Sequence, residues 1–154
     1  MKTIDDLLRE HPFFEDVDSA TVALLAGCAT LVHFHPGEAL FREGEPADAF
    51  FILRSGRVSV QVHNPAGGPI VVDTVEYDEV VGWSWLVPPH RWTSDAVAVA
   101  PTDAIRFDAG CLRAKCADDP AVGYTLVRKI TQVMAHRLAS AHHRLLDLYG
   151  GGRP

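Results

Sequence analysis

Phe34-His35-Pro36-Gly37-Glu38-Ala39-Leu40-Phe41-Arg42-Glu43-Gly44-Glu45-Pro46-Ala47-Asp48-Ala49-Phe50-Phe51-Ile52-Leu53-Arg54-Ser55-Gly56-Arg57-Val58 decides the architecture. Short apolar runs are cut by three turn signals: Pro36-Gly37, Gly44-Glu45-Pro46 and Ser55-Gly56. Gly and Pro punctuate local structure, so the runs read as strands at 38–42 and 48–54 joined by tight turns. Working outward, a period of two extends from Ala29 to Asp108. On the N-terminal side Leu31, His33 and His35 alternate with Thr30, Val32 and Phe34. On the other side strands are expected at 57–63, 69–75, 79–81, 95–100 and 103–107. Many short strands at regular spacing imply a mainly β fold, an eight-stranded roll or jelly roll.

Helices flank the roll. Residues 1–28 predict a helical cap, with Ile4, Leu7 and Leu8 on one face. His11-Pro12 interrupts it, because Pro disfavours helix at the residue before it. Asp18 or Ser19 caps a second helix that ends near Gly27. Residues 109–149 predict two helices: a short one capped by Asp108, and a long one opened by Asp118-Asp119-Pro120. A tail at 150–154 follows, and the whole chain, 1–154, is expected to be one domain.

Composition narrows the function classes. The chain has 154 residues, is 47% hydrophobic and carries a formal net charge of −6. No apolar run reaches the ~20 residues of a membrane span. No Lys/Arg run supplies the positive stripe of a nucleic-acid surface. Neither a membrane nor a nucleic-acid partner is therefore expected. Cys28, Cys111 and Cys116 read as reduced thiols, and the N-terminus shows no signal-peptide core, so a cytoplasmic protein is expected.

The stretch Gly82-Trp83-Ser84-Trp85-Leu86-Val87-Pro88-Pro89-His90-Arg91-Trp92-Thr93-Ser94-Asp95-Ala96-Val97-Ala98 holds all three tryptophans. A Gly, an apolar turn, a Pro-broken loop and a strand suggest the lip of a pocket. Free N–H groups of the turn could hold an anion. The alternative is that the tryptophans are simply core.

The chain resembles the cyclic nucleotide-binding domains of the catabolite-activator superfamily. Phe34-His35-Pro36-Gly37-Glu38 is similar to that family's entry motif F-x-P-G-E. Leu40 to Asp48 looks like its I-x-x-x-G-x-x-x-D turn, and Phe50 to Val58 like Y-x-I-x-x-G-x-V. The likeness covers nearly the whole chain. It implies the roll, the cap, a long dimer-forming helix and a phosphate-binding cassette opening at Gly82. In the family a Glu after that Gly holds the ribose and a later Arg holds the phosphate. Here Trp83 stands at the Glu position and Ser94 at the Arg position, with Asp95 beside it. Arg91, three residues earlier, is the one nearby replacement.

The resemblance places a ligand among Gly82, Trp83, Ser84, Trp85, Arg91, Ser94, Asp95 and Ala96, with His142 approaching from the long helix. The ligand would be a cyclic nucleotide or another small molecule, with no cofactor. On that helix Val127, Ile130, Met134, Leu138, Ala141, Leu145 and Leu148 recur at three-and-four spacing. The seam predicts a homodimer through Ile130, Met134, Leu138, Ala141 and Leu145. The chain stops soon after the helix, without the family's helix-turn-helix, which points away from DNA.

Competing chemistry is weaker. Gly27, His33, His35, Glu38 and Gly44 come near the first metal motif of the cupins, but the spacing to Glu38 is one residue short and the second motif is missing. No metal site and no enzyme activity is expected. Three functions remain. The first is a regulatory sensor with a degenerate cassette, acting through an unidentified protein partner. The second is a cyclic-nucleotide binder that uses Arg91. The third is a ligand-free dimeric scaffold.

Overall fold

The computed structural model describes residues 2–77 and 79–150. The expected tail residues 151–154 lie outside them. The N-terminal cap comprises α1 (Ile4–Glu10), a 3-10 turn at Pro12–Phe14 and α2 (Ser19–Ala26). Thr3 and Asp6 form a reciprocal capping box on α1, and the Asp18 carboxylate accepts the Thr21 N–H to start α2. His11 ends α1 in an extended conformation, as a residue before Pro should. Its ring then ties the cap down. Nδ1 accepts the Phe13 N–H, and Nε2 lies 3.1 Å from the Leu53 carbonyl oxygen.

Eight strands follow: β1 (Ala29–Phe34), β2 (Ala39–Phe41), β3 (Ala49–Ser55), β4 (Val58–Asn64), β5 (Gly68–Val75), β6 (Val80–Val81), β7 (Asp95–Ala98) and β8 (Thr102–Asp108). They form two antiparallel four-stranded sheets, ordered β1-β8-β3-β6 and β2-β7-β4-β5. The expected roll is therefore present. β7 stops at Ala98 instead of running to residue 100, and the connection to β8 passes through Pro101, which has no N–H to donate to a ladder. Phe50, Ile52 and Leu53 of β3 and Ile105 and Phe107 of β8 are all fully buried, and Phe51 of β3 meets Phe41 of β2 in the other sheet. Phe50 is stacked between Phe107 and Trp85, with ring planes 9° and 12° apart.

After β8, α3 (Ala109–Asp118) and α4 (Pro120–Gly150) close the chain. The Asp108 carboxylate accepts the Cys111 N–H as the α3 cap. α3 also overturns one expectation. Cys28 and Cys111 are joined in a disulfide across a sequence separation of 83, so two of the three cysteines are not free thiols. Cys116 remains free and partly buried, and burial pushes its thiol pKa up.

α4 spans 31 residues, about 46 Å at 1.5 Å per residue. Val122, Leu126 and Ile130 are buried against the body, with Val133 beside them. Ile130 was expected in the outward seam; at 2% exposure it belongs to the core instead. The outward heptad set is Val127, Thr131, Met134, Leu138, Ala141, Leu145 and Leu148, alternating by four and three. From His142 onward every described residue of α4 is exposed. No helix among the described residues is long and apolar enough to cross a membrane.

Candidate functional site

Gly82 follows β6 with φ +97°, a backbone conformation natural to glycine. It also meets a ring. A Cβ there would lie 2.7 Å from the Trp92 side chain. Trp92 lies over Phe41 of β2, with centroids 3.7 Å apart and planes 10° apart. Gly82, Trp92 and Phe41 thus fill the space behind the cassette. What remains, lined also by Trp83, Ser84, Ser94 and Arg137, is about 30 Å³. Drug-sized ligands occupy pockets of roughly 300–1,000 Å³. The remaining space is on the scale of a single water and well short of a nucleotide-sized pocket.

The Trp92 backbone is fixed by a neighbouring turn. Gly44 N–H donates to Trp92 O at 2.8 Å, and Trp92 N–H donates to Glu45 O at 3.0 Å. Ala47 N–H donates to His90 O at 2.7 Å. Arg91 Nη1 donates to Gly44 O at 2.8 Å, and Arg91 pairs with Pro46 as a β-bridge. Arg91, the candidate replacement for the phosphate-binding Arg, is therefore exposed and engaged with that turn, and it does not line the cassette cavity.

The other expected site residues divide. Ser84 is buried and Ser94 half-buried, and both line the small cavity; Ala96 is buried in β7. Trp85 is fully buried on Phe50, and its backbone carbonyl accepts Arg113 Nη1 at 2.8 Å, so it is core rather than pocket wall. Asp95 faces the β2 side, accepting the Glu43 N–H at 2.7 Å beside Arg42 at 3.4 Å. His142 is exposed on α4 and does not line the cassette cavity. The turn after Gly82 closes with Leu86 N–H on Trp83 O rather than forming a helix. The helical anion cradle expected there is not formed.

Trp83 is the least buried tryptophan. It lines both the small cavity and an outer apolar cleft of about 520 Å³ with Thr131, Met134, Ala135 and Leu138 of α4. The cassette and the α4 seam thus meet at one indole.

A cation that lines the cassette cavity comes from α4 and was not anticipated. Arg137 donates through Nη2 to Val80 O, and its Nε is 3.6 Å from Asp73 Oδ2. Nε itself is buried without a hydrogen-bond partner. Burial pushes the guanidinium pKa down, while Asp73 and Glu79 pull it back up. Two carboxylates already balance this charge, which weakens its pull on an added anion.

His33 Nδ1 and Asp103 Oδ1 are 2.7 Å apart on the surface, and His35 packs edge-on against His33. The His33 hydrogen bond holds the Asp103 carboxyl below its ordinary pKa. Among the described residues no three His, Cys, Asp or Glu side chains cluster as metal ligands.

The comparisons bear on the fold and the family. The family profile described as the cyclic nucleotide-binding domain matches residues 31–119. The CRP-like cAMP-activated global transcriptional regulator of Mycobacterium tuberculosis is 29% identical over 145 residues, 94% of this chain and 63% of that regulator. This chain therefore spans less than two thirds of that relative. Among solved structures, a chain from Geobacter metallireducens GS-15, provisionally described as a cyclic nucleotide-binding protein, superposes with TM-score 0.79 at 24% identity, covering 90% of this chain and 99% of that one. A cyclic nucleotide-binding domain from Methylobacillus flagellatus KT superposes with TM-score 0.78 at 21% identity, covering 94% and 81%. These two likenesses speak to the fold.

Proposed function

The chain belongs to the cyclic nucleotide-binding domain family, and on that premise we propose that it is a regulatory module with a degenerate cassette filled by its own Trp92. One observation carries the reading: the Trp92–Phe41 stack against Gly82 leaves about 30 Å³ where a ligand would sit. The polar side of the cassette agrees. Trp83 and Ser94 replace an ionised acceptor and a cation, and hydrogen bonds to charged groups contribute about 1.5–3 kcal/mol each. Losing both weakens a cyclic nucleotide by roughly 3–6 kcal/mol, or about two to four orders of magnitude. The rescue by Arg91 has no support, because that guanidinium holds the 44–47 turn.

In this reading the module acts through α4. Its outward seam presents Val127, Met134 and Leu138 at 44%, 38% and 59% exposure, a stripe that suits a parallel homodimer. An unidentified protein partner would read the state of that helix. The same closed pocket also suits the dimeric scaffold, which needs no ligand.

Isothermal calorimetry with cyclic AMP and cyclic GMP tests the pocket. The expected result is no binding at micromolar or lower nucleotide concentration, since the two charge-assisted contacts are missing. Submicromolar binding by the wild-type protein, lost in Arg91→Ala, would reinstate the nucleotide-binder.

A further inference from the structure

We propose that Cys28–Cys111 is a reversible thiol–disulfide site that couples the N-terminal cap to the α3–α4 arm. Cys28 immediately precedes β1 in the α2–β1 connection, and Cys111 sits in the first turn of α3. The bond therefore joins the cap to the segment that carries α4, across the end of the roll. No other covalent link spans these parts among the described residues.

Three observations make the bond cyclable rather than purely structural. Cys111 is half-buried while Cys28 is buried, so attack has a more open sulfur. The joint also survives without the bond. Asp108 N–H donates to Cys28 O at 2.9 Å, Asp108 still caps α3, and Leu8, Leu25, Leu112 and Leu126 remain packed in the shared core. Finally, the third thiol is a poor competitor. Cys116 lies further along α3, and burial keeps it in its protonated form, which does not attack disulfides.

The step balances with a dithiol as reductant. One thiolate of the dithiol attacks Cys111 Sγ, the Cys28–Cys111 bond breaks, and Cys28 leaves as a thiolate that takes a proton. The second thiol of the reductant then displaces Cys111, so the dithiol departs as a cyclic disulfide and the protein holds two thiols. Two electrons and two protons are transferred. Reduction removes the covalent tie between the cap and α3, so this still-packed joint and the base of α4 open more often while the roll stays closed.

The test uses the wild-type protein, oxidised in air and then treated with dithiothreitol without denaturant. Alkylation after unfolding counts thiols, with one expected before treatment and three after. Hydrogen exchange should accelerate at least tenfold in residues 4–28 and 109–133 on reduction, with β4 and β7 unchanged. Cys28→Ser and Cys111→Ser should each match the reduced protein and ignore dithiothreitol. Three thiols in the air-oxidised protein would overturn the proposal. So would a bond that native dithiothreitol cannot reduce, exchange that does not change, or exchange that accelerates equally throughout the roll.

Discussion

Trp92 covers Phe41 at a centroid separation of 3.7 Å with nearly parallel planes, and Gly82 is in contact with the far edge of the same indole. One side chain thus completes the core between β2 and β6 and closes the cavity behind the cassette. The Trp92 backbone is already hydrogen-bonded to the 44–47 turn, so turning the indole inward leaves that backbone satisfied.

Trp92→Ala should destabilise the protein by about 3–5 kcal/mol, the usual cost of deleting a buried large aromatic. Urea unfolding followed by circular dichroism measures it. A loss under about 1 kcal/mol would mean that the indole is not packed as described.

Gly82→Ala meets two obstacles, the positive φ and the Trp92 ring at 2.7 Å. The expected loss is about 2–4 kcal/mol. In a Trp92→Ala background only the backbone term remains, about 1–2 kcal/mol. A double-mutant cycle separates the two, and strict additivity would argue against the contact.

Much of this fold was legible because its signals are local. Alternation and Gly or Pro turns mark the strands of the 34–58 stretch, and Asp18 and Asp108 cap the helices expected of them. The site was less legible because its decisive contacts are long-range. Trp92 and Phe41 are 51 apart in sequence, and the loop between the cassette Gly and β7 gives no sign of which tryptophan turns inward. Ile130 and Thr131 both fit a three-and-four pattern, and only the packing of Leu126 and Val133 shows which of them faces the body. Arg137 looks like any solvated helix cation, though Arg137 and Arg144 are seven apart on the Ile130 face, a spacing that could have flagged it. The disulfide had no signal at all, since an odd number of cysteines fits either redox state.

Arg137→Met should destabilise the protein by about 1–3 kcal/mol, because the Val80 carbonyl loses its donor and Asp73 its cation. Arg137→Lys should recover part of this, since it restores charge without the planar fork. Chemical denaturation of the three proteins gives the order. Equal stability of the Met variant and the wild type would show that the guanidinium holds nothing.

Leu138→Asp tests the seam. Leu138 is 59% exposed in the single chain, so the substitution removes few internal contacts and the fold should hold, with a thermal midpoint within about 2 °C of wild type for the monomer. In a parallel pair of α4 helices, however, the same position meets its own copy across the two-fold axis. Two carboxylates would then face each other between the layers of Met134 and Ala141, with neither a partner nor water. Desolvation and like-charge repulsion act together, and the dimer constant should weaken at least 100-fold, about 2.7 kcal/mol. Sedimentation velocity from 1 to 100 μM reads this directly: a dimer for the wild type and a monomer for the variant. Leu126→Asp serves as contrast, because Leu126 is buried and its loss should unfold the chain rather than merely separate it. A wild-type protein that sediments as a monomer throughout that range would remove the dimer from the proposed function and leave α4 free for a different protein partner.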